Sequence, residues 1–188
     1  MAVAAPGVRE RLLEVAGRLF YAEGIHAVGV DRVIAEAGVA KATLYAHFRG
    51  KDELVAAYLA RQSQWWQTAV TRRADGREPG SAAAVLSPFD VLQERAAAPG
   101  YRGCPFINAA AEFPGPGPVA GQVAAHRGRV RAAFTRLLGG TGADAGLLGA
   151  LIALYDGAMS AAYLDHDPGV VAHARRGAEM ILRSSSQA

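Results

Sequence analysis

Apolar residues recur along this chain with a helical period and nowhere with a strand period. Leu12, Ala16, Leu19, Phe20 and Glu23 lie at i, i+4, i+7, i+8 and i+11, a stripe with a polar last member, and Gly24 follows as a stop. Val30, Val33, Ile34 and Ala37 form a second stripe, with Asp31 near the positive end of that helix. Gly38 then allows a sharp turn with φ > 0. A short third helix is predicted from about Ala40 to Phe48, with Val39, Leu44 and Phe48 facing inward. Together these predict a small three-helix bundle cored by Leu12, Ala16, Leu19, Phe20, Val33, Ile34, Leu44 and Phe48.

The rest of the chain continues in helices separated by Gly and Pro. A fourth helix is expected from Lys51 or Asp52 to about Arg73, with Leu54, Tyr58, Trp65 and Ala69 on one face. The run ADGREPGSAAA, residues 74–84, is turn-rich and predicted to be a mobile loop. Ser87-Pro88 reads as cap and first turn of a fifth helix, Phe89 to Ala97, ended by Pro99-Gly100. A sixth spans Pro105 to Glu112, and PGPGP, residues 114–118, breaks it. Pro118 opens a seventh through Leu138, Asp144 caps an eighth to about Asp165, and Asp167-Pro168 opens a ninth through Leu182. Residues 1–7 and the tail from Ser184 to Ala188 are expected to fray. The fold class is therefore all-α, with about nine helices.

Charge changes this picture only through its placement. The 188 residues carry a net charge of +3, and residues 1–53 hold seven Lys/Arg against seven Asp/Glu. Between Gly38 and Lys51, however, no acid occurs, while Lys41, His47, Arg49 and Lys51 are cationic or can become so. Lys41, Thr43, Tyr45 and His47 are left on the outer side of the short helix. Such a helix, held across a Gly turn from another, suits a DNA major groove. A solvated polar face is the plain alternative, and Tyr45 could instead be a core aromatic. The lone Cys104 excludes an internal disulfide and fits a reducing compartment. MAVAAPGVRE lacks a basic start followed by a long apolar run, and the apolar stretch from Ala145 to Tyr155 is short for a membrane span. A soluble, cytoplasmic protein with no membrane partner is expected.

The segment RLFYAEGIHAVGVDRVIAEAGVAKATLYAHFRGKDEL, residues 18–54, resembles the tetracycline-repressor (TetR) family of bacterial transcription regulators. AGVAKATLYAHF followed by Lys51-Asp52-Glu53-Leu54 carries the likeness, over roughly a quarter of the chain. The resemblance implies an amino-terminal helix-turn-helix DNA-binding domain, here 8–50, and a helical ligand-binding and dimerisation domain, here 51–183. It also implies a homodimer on a roughly palindromic double-stranded operator, released by a small hydrophobic effector. Carried over, Lys41 and Thr43 are nearest the bases, while Tyr45, His47 and Lys51 serve phosphates; Arg32 adds a base or phosphate contact. Gly29, Ala40 and Gly50 stand where family members often carry Ser or Thr caps.

For the second domain, the candidate ligand-binding residues are Trp65, Trp66, Phe89, Leu92, Phe106, Asn108, Glu112, Tyr155 and Met159. Ordinary core is the alternative for each apolar member, and a satisfied polar edge for Asn108 and Glu112, which share a helix face at i, i+4. Two adjacent Trp point about 100° apart, so one of them faces a cavity or a partner chain. Gly149, Ala153, Gly157, Ala161, Ala174 and Ala178 would let subunits approach closely. Cys104 is either a thiol sensor or a small buried residue. Asp165, His166, Asp167 and His173 could suggest a metal, but capping by Asp167 explains them more simply, so no metal or cofactor is expected. No G-x-S-x-G, Walker or dinucleotide fingerprint occurs, and no residue is nominated for catalysis.

Overall fold

A computed structural model describes residues 7–140 and 144–185, and every regular element among them is helical. The order is α1 (Val8–Glu23), α2 (Val30–Ala37), α3 (Lys41–His47), α4 (Lys51–Ala74), α5 (Ala82–Val85), α6 (Ser87–Ala96), α7 (Pro105–Glu112), α8 (Pro118–Leu137), α9 (Ala145–Leu164) and α10 (Gly169–Ser185). The nine expected helices are joined by the four-residue α5. Residues 1–6 and 186–188 of the predicted fraying ends lie outside the described residues. Ser184 and Ser185 stay helical, their hydroxyls donating back to Met180 O and Ile181 O.

The described chain gathers into two compact units: Met1–Gln62 with Pro105–Ala125, and Ser63–Cys104 with His126–Ala188. These are not the same cuts as the functional division expected at residue 50. In the first unit, Leu12, Ala16, Leu19 and Phe20 of α1 meet Val33 and Ala37 of α2 and Leu44 and Phe48 beside them, all buried. Ile34 is only half-buried. Leu13, Ile25 and Val28 join this core, although Ile25 and Val28 lie in the α1–α2 loop where no periodicity announces them. Tyr58 lies edge-on to Phe20 at 5.9 Å between centroids. A Cβ at Gly17 would meet the Tyr58 ring at 3.1 Å, so this mid-helix glycine permits the close packing.

The first unit also contains α7, for a reason that appears in single hydrogen bonds. Glu112 Oε1 accepts the backbone N–H of Ile25 at 3.0 Å, and Oε2 that of His26 at 2.5 Å. The His26 ring stacks on Phe113 at 4.9 Å, and its Nε2 lies 2.6 Å from Glu112 O. The end of α7 thereby fastens the loop between α1 and α2.

In the second unit the core is Trp66, Val70, Leu86, Phe89, Leu92, Val130, Phe134, Leu151, Ile152 and Tyr155, among others. Phe89, Phe134 and Tyr155 meet edge to face, at 5.5–6.3 Å. The two Trp residues divide as their angle requires, but in the opposite sense to the face drawn with Leu54, Tyr58 and Ala69. Trp66 is buried and Trp65 is exposed under the Arg95 guanidinium, 4.8 Å from its ring centroid. Ser87 also departs from expectation. It is the first residue inside α6, and Ser81 does the capping, for α5, by accepting from Ala84 N–H. Residues 74–84 are tied down by Arg77, whose Nη1 reaches Ala83 O, Ser87 Oγ and Asp90 Oδ2. Arg175 holds the other oxygen of Asp90 at 2.7 Å.

Asp144 caps α9 through Leu147 N–H, and Asp167 accepts from Gly169 N–H at the start of α10. α9 is longer in its apolar character than the run ending at Asp156. By length and composition, Ala145–Leu164 could cross a membrane, with mean hydropathy 1.5 and 33% of that window buried. Asp156 interrupts it, both of its carboxylate oxygens accepting from Arg127 Nη1.

Candidate nucleic-acid interface

The geometry of α2 and α3 follows from one glycine and two anchors. Gly38 ends α2 in the left-handed region, φ 62° and ψ 41°, with its N–H directed to Ile34 O and Ala35 O. Ala40, in extended backbone, precedes α3 without a side-chain cap, the hydroxyl that Ser or Thr would supply being absent. Leu44 and Phe48 then turn one side of α3 into the core, and Arg9 lies over the outer face of the Phe48 ring at 5.3 Å. What is left faces outward: Lys41, Tyr45 and His47 are exposed and Thr43 is half-buried. Tyr45, with 47% of its surface exposed, is not a core aromatic.

The cations on this surface are partly engaged. Lys41 Nζ donates to Asp31 Oδ1 at 3.0 Å, and that hydrogen bond is the main reason its pKa is raised. Both partners are highly exposed, 62% and 81%, so water screens the pair and phosphate can compete for the ammonium. Arg32 is held more firmly. Its guanidinium makes a two-point pair with Glu23, at 2.5 and 2.8 Å, and donates to Glu36, which also accepts from Arg18. The Glu23 hydrogen bond leads in raising the Arg32 pKa, and the Arg18 hydrogen bond leads in lowering that of Glu36. Arg32 thus knits α2 to the end of α1, its guanidinium shared between the Glu23 and Glu36 carboxylates.

At the start of α4, Glu53, the third helical residue, accepts the backbone N–H of Arg49 at 2.6 Å and so bonds back across the Gly50 cap position. Lys51 Nζ lies 3.4 Å from His26 O. An open concavity at this helix end is lined by Arg49, Gly50, Lys51, Asp52, Glu53 and Pro118.

The ligand-binding candidates are drawn from both units. Trp66, Phe89, Leu92, Tyr155 and Met159 belong to the second unit, where Trp66 Nε1 donates to Tyr155 Oη at 2.9 Å. Phe106, Asn108 and Glu112 belong to the first unit. Of the two readings of Glu112, a ligand contact beside Asn108 or a satisfied polar edge, the hydrogen bonds match the second: its carboxylate accepts from two backbone donors of the α1–α2 loop. Trp65 stands at the surface.

Sequence reasoning missed a buried polar pair in the second unit, Ser63 and His126. Ser63 Oγ lies 3.0 Å from His126 Nδ1 and accepts from Arg129 Nη1 at 3.2 Å. Burial, then the nearby Arg127 and Arg129 charges, lower the His126 pKa to about 4, so the ring is neutral at pH 7. Burial also raises the Tyr155 hydroxyl far above its ordinary range. Only the polar residues breaking the apolar faces of α4 and α8 hinted at this pair.

Residues 12–58 match the family profile described as bacterial regulatory proteins, tetR family. An HTH-type transcriptional regulator of Bacillus subtilis, YxaF, is 45% identical over 47 residues; the match covers 24% of this chain and 25% of that protein's length. Over nearly the whole chain, the structure is similar to SCO4454, a TetR-family transcriptional regulator from Streptomyces coelicolor. Identity is 42%, the TM-score 0.85, and the coverage 94% of this chain and 95% of the other. A TetR-type regulator from Streptomyces avermitilis, sav143, is 27% identical, with TM-score 0.77 and coverage of 93% and 99%.

Proposed function

The chain belongs to the TetR family of DNA-binding transcriptional regulators, and from that footing we propose that it is a ligand-responsive repressor, released from a palindromic operator by a small hydrophobic molecule. The carrying observation is the outer face of α3: Lys41, Tyr45 and His47 project from a helix that Leu44 and Phe48 hold rigidly from behind. Lys41 and Thr43, in its first turn, read base edges. Tyr45, His47 and Lys51 hold phosphates. Arg32 acts indirectly, by fixing α2 against α1.

Residues 8–50 serve as the DNA-binding domain and residues 51–183 as the ligand-binding and dimerisation domain. Pairing is supported by the apolar surface that α9 and α10 leave uncovered: Leu164 and Met180 are 70% and 69% exposed, and Gly149, Ala153 and Gly157 lie open along α9. Ala178 is buried within its own chain and takes no part. A two-fold dimer sets two α3 helices on successive major grooves, with half-sites about 34 Å apart or somewhat more. The effector lodges at Trp66, Phe89, Leu92, Tyr155 and Met159. Trp66 and Lys51 lie on the same helix, about 22 Å apart at 1.5 Å per residue. A ligand that favours the spacing unsuited to DNA shifts the population away from the operator.

Titrating salt against affinity for an upstream inverted repeat tests the reading. Log affinity should fall steeply with log salt, and Lys41→Ala or Tyr45→Ala should weaken binding by about tenfold or more. Absent or salt-insensitive binding would favour a carrier, a protein-binding module or an enzyme.

A further inference from the structure

α8 contains no acid. Its cations in the second unit are Arg127, Arg129, Arg131 and Arg136. Arg127 is neutralised by Asp156, whose two oxygens accept from Arg127 Nη1 at 2.9 and 2.7 Å. Arg129 differs. It is half-buried, its guanidinium touches Ser63 Oγ, and no carboxylate among the described residues pairs with it. Because a guanidinium only donates, Ser63 Oγ accepts from Arg129, and it also lies 3.0 Å from His126 Nδ1. His126 in turn lies edge-on to Trp66, centroids 5.4 Å apart.

A second observation points the same way from the other edge of Trp66. The indole N–H donates to Tyr155 Oη, and indole can only donate. Tyr155 is buried, 3% exposed, and its own hydroxyl proton meets no acceptor among the described residues. Near Trp66, then, the Arg129 guanidinium meets no anion and the Tyr155 hydroxyl proton no acceptor among the described residues. The depression of the His126 pKa by Arg127 and Arg129 reports the same positive potential, second to burial as a cause. A buried hydroxyl proton without an acceptor is costly, and a half-buried guanidinium without an anion adds to that cost.

We infer that Arg129, with Ser63 and His126 behind it, receives the carboxylate of an apolar organic acid whose hydrocarbon body lies along Trp66. This rests on the effector reading above and gives that molecule a chemical class. Arg129 is the half-buried member of a cluster whose other members, Ser63, His126, Trp66 and Tyr155, are all buried, so it marks where the cluster meets water. An incoming carboxylate can take a two-point bond from the guanidinium, which an uncharged oxygen takes only weakly.

The test uses the full-length protein with octanoate, benzoate and phenylacetate, each beside its neutral primary amide, read by tryptophan fluorescence and calorimetry. At least one acid should bind about tenfold more tightly than its amide. Arg129→Gln should erase that preference and Arg129→Lys keep most of it, with melting curves confirming that both fold. The inference is overturned if no acid binds at millimolar concentration, if amide and acid bind alike, or if Arg129→Gln retains the preference. Release of operator DNA is measured separately. An acid that binds as expected but leaves DNA affinity unchanged sinks the effector reading and spares this site. A neutral amide that releases DNA while the acids are silent does the reverse.

Discussion

Glu112→Ala puts the α7 fastening to a quantitative test. The wild-type carboxylate accepts from two backbone donors some 87 residues away, Ile25 N–H and His26 N–H. After truncation the His26 donor, which is exposed, finds water. The Ile25 donor belongs to a residue 2% exposed and has no replacement in place. One buried donor left without a partner costs about 1–3 kcal/mol. For a chain of this size each kcal/mol moves the melting temperature by about 2–4 °C, so the midpoint should drop by roughly 2–12 °C at fixed protein concentration. Glu112→Gln keeps one acceptor oxygen and should lose about half as much. Amide hydrogen exchange at Ile25 and His26 should accelerate in both variants more than at Leu44 or Phe48. Because the loop leads directly into α2, operator affinity should also weaken. A Glu112→Ala protein that melts with the wild type, with unchanged exchange at Ile25, would show that these hydrogen bonds hold nothing.

Three further outcomes follow from the same contacts. The unfolded chain protonates His126 below about pH 6.5, whereas the folded protein keeps it neutral down to about 4, so its effect is absent at high pH and destabilising as pH falls through that window. Denaturant melts from pH 7 to 4 should therefore lose up to ~1.4 kcal/mol per pH unit through this residue, and His126→Asn should flatten the dependence; an unaltered slope would contradict it. Gly38→Ala, at φ 62° with open space around the position, should cost about 1 kcal/mol of stability and Gly38→Asn less, measured by urea unfolding; equal costs would mean that the turn relaxes. Ala153→Glu on the open side of α9 should convert a dimer to a monomer in light scattering, and a variant that stays dimeric would move the interface elsewhere.

Much of the first unit was legible because its information is local. Helical periodicity at Leu12, Ala16, Leu19 and Phe20, a glycine at the tight turn, and Leu44 and Phe48 four apart fix which side of α3 faces in, and so which side is left to solvent. The caps at Asp144 and Asp167 were equally readable, since each acts on a backbone N–H two or three residues away. Which of Trp65 and Trp66 is buried was not readable, because their angular separation says only that they differ. Nor could residue types reveal that Glu112 fastens a loop beginning at Ile25, that Arg32 is held by Glu23 as well as Glu36, or that Ser63 and His126 meet inside the second unit. Those pairings span 9 to 87 positions. A chain specifies by itself the period and punctuation of its helices, because these depend on neighbours along the backbone. It leaves to tertiary packing the choice of partner for each buried polar group, because desolvation forces that group to bond whatever the fold brings within reach.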